Sequence, residues 1–187
     1  SDLYEAGLSK NYRYGKKFWA DEYRLNALIA NYSKPYISFM QGYTMGGGVG
    51  ISCHGSHRII CETSKIAMPE CSIGLVPDVG GSLLLAKAPD SIGYFLGLTG
   101  AQMRAADAIY AGFADFYVPK DEWPYIIEKL EKTGDCSILS KEAKNPEFSK
   151  LAEEKQFFKT AFASKNLVRI VKFLSVTENQ FAKFTVN

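Results

Sequence analysis

Residues 36–50 read Tyr36-Ile37-Ser38-Phe39-Met40-Gln41-Gly42-Tyr43-Thr44-Met45-Gly46-Gly47-Gly48-Val49-Gly50, an apolar segment followed closely by a run of glycines. The β-branched and aromatic residues at 36–40 predict a buried strand, and a short helix follows through 51–54. Glycines between a strand and a helix leave backbone N–H groups unshielded at the helix N-terminus, where they can hold an anion or a developing oxyanion. Close packing of strand against helix is the alternative explanation.

The elements on either side predict an α/β fold. Apolar residues at helical spacing (Phe18, Leu25 and Ile29) predict an opening helix over residues 13–31, and Pro35 follows its end. Further strands are expected at 58–61, 65–68 and 116–118, and further helices at 91–98, 124–132, 149–162 and 167–186. Thr99 is expected to cap a helix that runs to about residue 111 and stops at Gly112.

Charge density divides the chain near Pro119. Residues 1–119 hold 20 charged side chains and residues 120–187 hold 22. We therefore predict a packed α/β core over 1–119 and a helical part with a wetter surface over 120–187.

Composition excludes several classes of protein. A net charge of +2 gives no electrostatic footprint for nucleic acid, so none is expected as a partner. The uncharged stretch between Lys34 and Arg58 is interrupted by glycines and histidines, so no membrane association is expected. Four scattered cysteines suit a reducing compartment.

Three acidic residues lie in settings suited to chemistry. Glu70 follows Met68-Pro69 at a strand end, Asp78 sits in a glycine turn, and Glu22 falls on the apolar stripe of the first helix. Neighbouring carboxylates in apolar surroundings can take separate acid and base roles. The alternatives are a bond to a loop amide for Glu70, an Asx turn for Asp78 and a salt bridge for Glu22.

Other site types lack their motifs. The glycine run has neither the Lys-Ser/Thr ending of a P-loop nor the spacing of a dinucleotide site. Cys53, His54 and His57 match no common zinc spacing, so no metal is expected. No Gly-x-Ser-x-Gly elbow is present for a serine hydrolase.

Four separated motifs resemble the crotonase (enoyl-CoA hydratase/isomerase) superfamily in order and spacing. They are Gly46-Gly47-Gly48, Met68-Pro69-Glu70, the turn from Gly74 through Pro77 to Gly80-Gly81, and Leu98-Thr99-Gly100 with the Gly112-Phe113-Ala114-Asp115 segment. The resemblance covers about residues 10–120. It implies a spiral of ββα units with a helical C-terminal part.

Within that superfamily the chain is most similar to the 3-hydroxyisobutyryl-CoA hydrolase subgroup. The likeness lies in residues 18–26, 44–50 and 74–81. Typical hydratases carry a second catalytic glutamate where this chain has Gly50, and usually a small residue where it has Asp78. The combination of Glu70, Asp78 and Gly50 favours the hydrolase.

The resemblance implies hydrolysis of a short branched 3-hydroxyacyl-CoA thioester, as in valine degradation. Gly47 matches one backbone donor to the thioester oxyanion and Glu70 matches the principal catalytic carboxylate. Asp78 and Glu22 match contacts to the acyl group. Glu70 either attacks the carbonyl or activates water. The alternatives are an enoyl-CoA hydratase or isomerase, and a non-catalytic structural or assembly component of this fold.

The resemblance also carries expectations about the whole protein. CoA is part of the substrate, so no separate cofactor is implied. A homo-oligomer is expected, a trimer or a dimer of trimers, in the cytoplasm of a bacterium or the mitochondrial matrix of a eukaryote. The family's N-terminal segment, which supplies the other oxyanion donor, precedes the helix at 13–31, so we expect the chain to be part of a longer protein.

Overall fold

The computed structural model describes residues 2–164 and 166–186 of the chain. Ser1, Lys165 and Asn187, which belong to the two predicted parts, lie outside these residues. Five strands are described: β1 (Ile37–Met40), β2 (Tyr43–Met45), β3 (His57–Ile60), β4 (Lys65–Ala67) and β5 (Phe116–Tyr117). The α-helices are α1 (Asp2–Leu8), α2 (Arg13–Ala30), α3 (Gly47–Ser52), α4 (Gly81–Lys87), α5 (Ile92–Thr99), α6 (Ala105–Tyr110), α7 (Trp123–Thr133), α8 (Ser137–Glu142), α9 (Lys150–Glu153), α10 (Lys155–Ala161), α11 (Leu167–Val176) and α12 (Gln180–Val186).

Two ββα units follow one another, β1-β2-α3 and then β3-β4-α4. Equivalent strands pair in parallel: β1 with β3 in one sheet, which β5 extends, and β2 with β4 in a second sheet. Met45 lies opposite Ala67 at the carboxyl ends of the second pair. The segments that follow, the glycines of α3 and a 3₁₀ turn over Glu70–Ile73, therefore start side by side.

The main core lies between the second unit and the C-terminal helices. Phe95 of α5 packs on Phe158 of α10 with 5.1 Å between ring centroids. Helices α4 and α5 approach unusually closely at Gly93, where an added Cβ would lie 1.9 Å from the carbonyl oxygen of Leu85. This close packing supports the turn that connects the 3₁₀ segment to α4.

A second, smaller core covers the three-stranded sheet. Trp123 of α7 packs edge-on against Phe39 of β1 at 5.1 Å and donates its indole N–H to the carbonyl of Val118 at 3.0 Å. Ile126 and Leu139, both fully buried, complete this cluster from α7 and α8. Helices after Pro119 thus pack on both parts of the α/β body.

An ion pair ties the sheet to the segment that precedes β5. Arg58 at the start of β3 bonds both carboxylate oxygens of Asp115, at 2.8 and 2.5 Å. The same guanidinium donates to the carbonyl of Gly112 at 2.6 Å, and the backbone N–H of Arg58 also donates to Asp115 at 2.9 Å. This network fixes the register between distant stretches of chain.

The predicted inward stripe of the first helix is wrong in part. Phe18 and Leu25 are 41% and 44% exposed, whereas Asn26 and Ile29 are buried. The reason is the neighbour: α2 packs on the glycines of α3, which present no side chains for large apolar residues to contact. A face of smaller polar groups fits there instead.

Several predicted boundaries also need correction. Thr99 ends α5 and bonds back to the carbonyl of Phe95 at 2.6 Å, while α6 starts only after Met103 has bridged to Ile66. The glycine run itself begins α3, four residues earlier than expected. The predicted helices at 149–162 and 167–186 are each broken in two, and β2 and α1 were not predicted at all.

Candidate active site

Helix α3 begins on three consecutive glycines. Gly46, its N-cap, has φ 51° and ψ −120°, a conformation that only glycine adopts without strain. The first N–H groups of a helix have no partner within the helix, so the N–H of Gly47 is free to meet a ligand. The predicted oxyanion donor therefore stands at the first helical position.

Glu70 projects toward this helix start from the neighbouring 3₁₀ turn. It is only 5% exposed, and its Oε1 lies 3.1 Å from the point that a Cβ on Gly46 would occupy. Its Oε2 has no hydrogen-bond partner among the described residues. Burial raises the pKa of Glu70 above its ordinary value, a backbone hydrogen bond opposes this, and the charge of Asp78 adds to it.

Glu22 reaches the same glycines from α2. Its Oε1 lies 3.1 Å from the position of a Cβ on Gly47, so a side chain at that glycine would displace the carboxylate. Burial, and secondarily the charge of Asp78, raise the pKa of Glu22. Glu22 therefore faces the glycine helix and not the apolar layer that the sequence pattern predicted.

Asp78 lies in a turn with a strained backbone. Val79, which follows it, is buried with φ 45°, and Gly80 has φ 76°. Left-handed φ costs a β-branched residue energy, so surrounding contacts must hold the turn. His54 provides one of them, with Nε2 2.7 Å from the carbonyl oxygen of Val79. The amide of Gly81 donates to the carbonyl of Asp78 at 2.6 Å.

The four residues predicted from the sequence come together. Glu22 and Glu70 lie against Gly47 and Gly46 at the start of α3, and Asp78 is close enough for its charge to act on both carboxylates. The negative charge of Asp78 repels the carboxylates of Glu22 and Glu70 and so contributes to the raised pKa of each. None of these three carboxylates forms an ion pair with another residue among 2–164 and 166–186. Such a cluster suits a ligand that brings hydrogen-bond donors or positive character.

Two residues of the site were missed by the sequence reasoning. The Tyr23 hydroxyl donates to Oδ2 of Asp78 at 3.3 Å. Asn26 is 5% exposed, and neither of its amide atoms has a partner among the described side chains and backbone. Asn26 follows Glu22 by one helical turn, so helical spacing could have identified it. Nothing local signals a contact between residues 55 positions apart.

The wall around Gly50 is tightly packed. A Cβ there would lie 2.7 Å from Cβ of Val79 and 2.8 Å from Nδ2 of Asn26. Real Cβ atoms do not approach other atoms so closely, so the site has no room for a side chain at this position. Glycine at residue 50 is therefore a requirement of the packing between α2, α3 and the Asp78 turn.

An apolar cleft lies between helices α4 and α5 and the segment that joins Glu70 to Asp78. It has a volume of about 800 Å³, and Val76, Leu85, Tyr94 and Leu98 contribute to its lining. Cys71 and Pro77, the neighbours of Glu70 and Asp78 in sequence, also line it. The segment 71–77 thus has the cleft on one side and leads into a catalytic candidate at each end.

The described part of the chain holds neither a metal cluster nor a membrane-spanning helix. No group of three or more His, Cys, Asp and Glu side chains there is placed to hold a metal ion. No described helix combines the length and apolar character needed to span a membrane.

The fold and the site define a class of protein. The paired ββα units, the glycine helix α3 and the buried Glu70 beside it are of the crotonase type. The chain belongs to the enoyl-CoA hydratase/isomerase family, whose model matches residues 1–187. A solved enoyl-CoA hydratase from Rhodobacter sphaeroides 2.4.1 superposes on all of this chain with a TM-score of 0.94 and 46% identity, and the match covers 54% of that structure. The fold class predicted from the sequence is therefore confirmed.

Sequence relatives carry different names. The probable 3-hydroxyisobutyryl-CoA hydrolase 3 of Arabidopsis thaliana is 42% identical over 131 residues, which are 69% of this chain and 35% of that protein. The small ribosomal subunit protein mS47 of Neurospora crassa is 45% identical over 109 residues, or 58% of this chain and 22% of that protein. The matched stretches thus span about a third of the former relative and under a quarter of the latter.

Proposed function

We propose that the whole protein hydrolyses the CoA thioester of a short branched 3-hydroxyacyl group, of the 3-hydroxyisobutyryl-CoA type. The observation that carries the proposal is that Glu70 and Glu22 lie against the glycines that start α3, with the charge of Asp78 acting on both. None of these carboxylates has an ion-pair partner among the described residues. Similarity to proteins named 3-hydroxyisobutyryl-CoA hydrolase supports it. No cofactor is required, because CoA is part of the substrate.

The N–H of Gly47 is the proposed donor to the thioester oxygen. When a nucleophile adds to the carbonyl carbon, that oxygen becomes negative, and a fixed donor in a shielded site stabilises it. Glu70 lies beside the same helix start with one free oxygen, so it is placed to act on the carbonyl. Its raised pKa brings it closer to the range in which a carboxylate is an effective base at neutral pH.

Two routes use this geometry. In the first, Glu70 takes a proton from water, the hydroxide adds to the carbonyl carbon, and the C–S bond breaks to release CoA thiol and the acid. In the second, Glu70 adds to the carbonyl, CoA leaves, and water then hydrolyses the mixed anhydride. A single turnover in H₂¹⁸O, followed by mass spectrometry of the Glu70 peptide, tests for the second route. Label enters the Glu70 carboxylate only if the anhydride forms and water attacks its Glu70 carbonyl, whereas attack at the acyl carbonyl sends the label to the product acid, as in the first route.

Asp78 and Glu22 are the proposed contacts of the hydroxyacyl group. A carboxylate accepts hydrogen bonds and repels another carboxylate, so the pair needs a donor between them. The hydroxyl of a 3-hydroxyacyl chain supplies that donor, whereas a plain acyl chain leaves the two carboxylates without a shared donor in the bound complex. Such a site discriminates strongly against the analogue that lacks the group.

Enoyl-CoA hydration is the second candidate, favoured by the name of the solved structure. The packing at Gly50 weighs against it, since a second carboxylate at that position has no space. To decide, the protein expressed from its complete reading frame is incubated with 3-hydroxyisobutyryl-CoA and with crotonyl-CoA. Thiol release from the former supports the proposal. Hydration of crotonyl-CoA without thiol release overturns it.

A structural role is the third candidate, and similarity to a ribosomal subunit protein favours it. Retention of Glu70 and Asp78 in one cluster argues for chemistry instead. Sedimentation of a cell lysate distinguishes the two. Migration with a large particle, together with no turnover of a CoA ester, supports the structural role. A free protein that turns over the ester excludes it. Light scattering on the same preparation tests the predicted trimer or dimer of trimers.

A further inference from the structure

Tyr23 is the described side chain that holds Asp78 by a hydrogen bond. Its hydroxyl lies 3.3 Å from Oδ2 of Asp78 and joins helix α2 to a turn that is 55 residues away in the sequence. The tyrosine is 45% exposed, so apolar burial accounts for little of its placement. The contribution of Tyr23 to the site is therefore the hydrogen bond from its hydroxyl group.

Asp78 needs such a partner. It lies in the same cluster as the carboxylates of Glu22 and Glu70, and like charges without cations between them repel. The strained turn through Val79 and Gly80 fixes the backbone but leaves the side-chain rotamer free. Without a donor, the carboxylate would gain by turning away from the cluster into solvent.

The position of Tyr23 on α2 connects it to the rest of the site. Glu22, the preceding residue, faces Gly47, and Asn26, three residues on, lies against Gly50. One helix thus places Glu22 at the oxyanion glycine and simultaneously ties down Asp78. Any shift of this helix would change both contacts together.

We propose that Tyr23 is a positioning residue, which holds the Asp78 carboxylate toward the acyl group and so sets the preference for hydroxylated acyl chains. This role rests on the proposed function, because it assumes that Asp78 accepts a hydrogen bond from the substrate. Tyr23 itself does not touch the reacting atoms.

The kinetic test uses the protein from its complete reading frame and two esters, 3-hydroxyisobutyryl-CoA and isobutyryl-CoA. Tyr23→Phe removes only the hydroxyl. The ratio of kcat/KM between the hydroxylated and the plain ester should fall about fivefold to tenfold, the effect of one hydrogen bond of ordinary net strength, because this bond is long and solvent-exposed. Tyr32→Phe is the matched control, because Tyr32 is similarly exposed just beyond the same helix and its hydroxyl bonds no described residue. Equal losses on both esters, or a ratio like that of the control, overturn the proposal.

A spectroscopic readout tests the contact without turnover. Burial, together with the charge and hydrogen bond of Asp78, raises the pKa of the Tyr23 phenol. In protein labelled with ¹³Cζ-tyrosine, the resonance absent from Tyr23→Phe is that of Tyr23. Asp78→Asn should make it titrate at lower pH, and an unchanged titration overturns the contact. If the unmodified protein releases CoA from neither ester, the proposed function and the selectivity role both fail, while this titration still decides whether Tyr23 holds Asp78.

Discussion

Glu70 combines three properties at one residue: burial, an unpartnered oxygen and contact with the glycine helix. If it is the base or nucleophile, Glu70→Gln keeps the shape of the side chain and removes its reactivity. We expect kcat for thioester hydrolysis to fall about 10²- to 10⁴-fold with binding retained, since general-base catalysis contributes about that much. Steady-state CoA release by the protein from its complete reading frame measures it.

Glu131→Gln is the control for this substitution, because Glu131 is an exposed glutamate on α7, far along the chain from the site. It should leave kcat unchanged. A Glu70→Gln protein that keeps hydrolysis within about threefold of the parent would contradict the catalytic assignment, because a base contributes far more than that.

The same residue should limit stability. The folded pKa of Glu70 is raised, so the folded state binds the proton more tightly than the unfolded state and loses stability as pH rises through that window. Glu70→Gln should therefore raise the Tm at pH 7.5, by about 2–4 °C for each kcal/mol recovered in a domain of this size. Calorimetry should show the advantage shrinking as pH is lowered and Glu70 becomes protonated in the parent. A constant advantage at all pH values would mean that charge is not its cause.

At the scale of elements, α3 and the Asp78 turn can pack together only because residue 50 of α3 is a glycine. In Gly50→Ala the new methyl group would lie 2.7 Å from Cβ of Val79. The turn must then move, at a cost of about 1–3 kcal/mol in the free energy of unfolding, as in other overpacked interiors. Denaturant unfolding measures the decrease in the free energy of unfolding. CoA release should fall as well, because a displacement of Val79 also displaces the adjacent Asp78.

Gly48→Ala tests the same helix without the clash. Its added Cβ would meet only Cγ2 of Thr44 at 3.7 Å, an ordinary contact. Alanine is favoured over glycine inside a helix by about 1 kcal/mol, so this variant should be as stable as the parent or more so. Equal effects of the two substitutions would show that helix propensity, and not packing, decides at Gly50.

Periodicity and turn residues predict most elements but not the faces they bury. Helix α2 was expected over 13–31 and spans 13–30. The side chains of Phe18 and Leu25, which were expected to face inward, are exposed. An apolar stripe predicts an apolar partner, and here the partner is a helix of glycines. Strand β2 was missed because its three residues, Tyr43–Met45, sit between glycines that indicate a turn.

The site could be predicted only as far as its motifs extend. Glu70, Asp78 and Glu22 were singled out by their settings in the sequence and Gly47 by its run of glycines, while their roles came from the resemblance to family motifs. Tyr23 and Asn26 carry no motif, since their roles arise from contacts with Asp78 and Gly50 that only the tertiary structure creates. Buried polar contacts between distant segments leave no periodic trace in a sequence.

At the scale of the whole molecule, the Arg58–Asp115 pair connects segments 57 residues apart. Both side chains are largely buried, and the carboxylate accepts from the guanidinium and from the backbone of Arg58. Asp115→Asn should lower the free energy of unfolding by about 2 kcal/mol or more, because it weakens several charge-assisted bonds at once. Asp21→Asn, which loses only exposed helical pairs with Lys17 and Arg24, should leave stability unchanged. Similar losses in both variants would show that the network does not hold the fold.

The close approach of α4 and α5 at Gly93 has a consequence for motion. With a helix backbone in the place that a Cβ would take, the two helices cannot slide past one another and must move as one rigid body. The 71–79 segment packs on α5 through the 3₁₀ turn and Pro77, and it joins α4 through the strained link at Val79. If the proposed function holds, an acyl chain that passes from the cleft to Glu70 must pass this segment, which separates the two. Amide hydrogen exchange should be fast at 71–77 and slow in α4 and α5, with ligand slowing only the former.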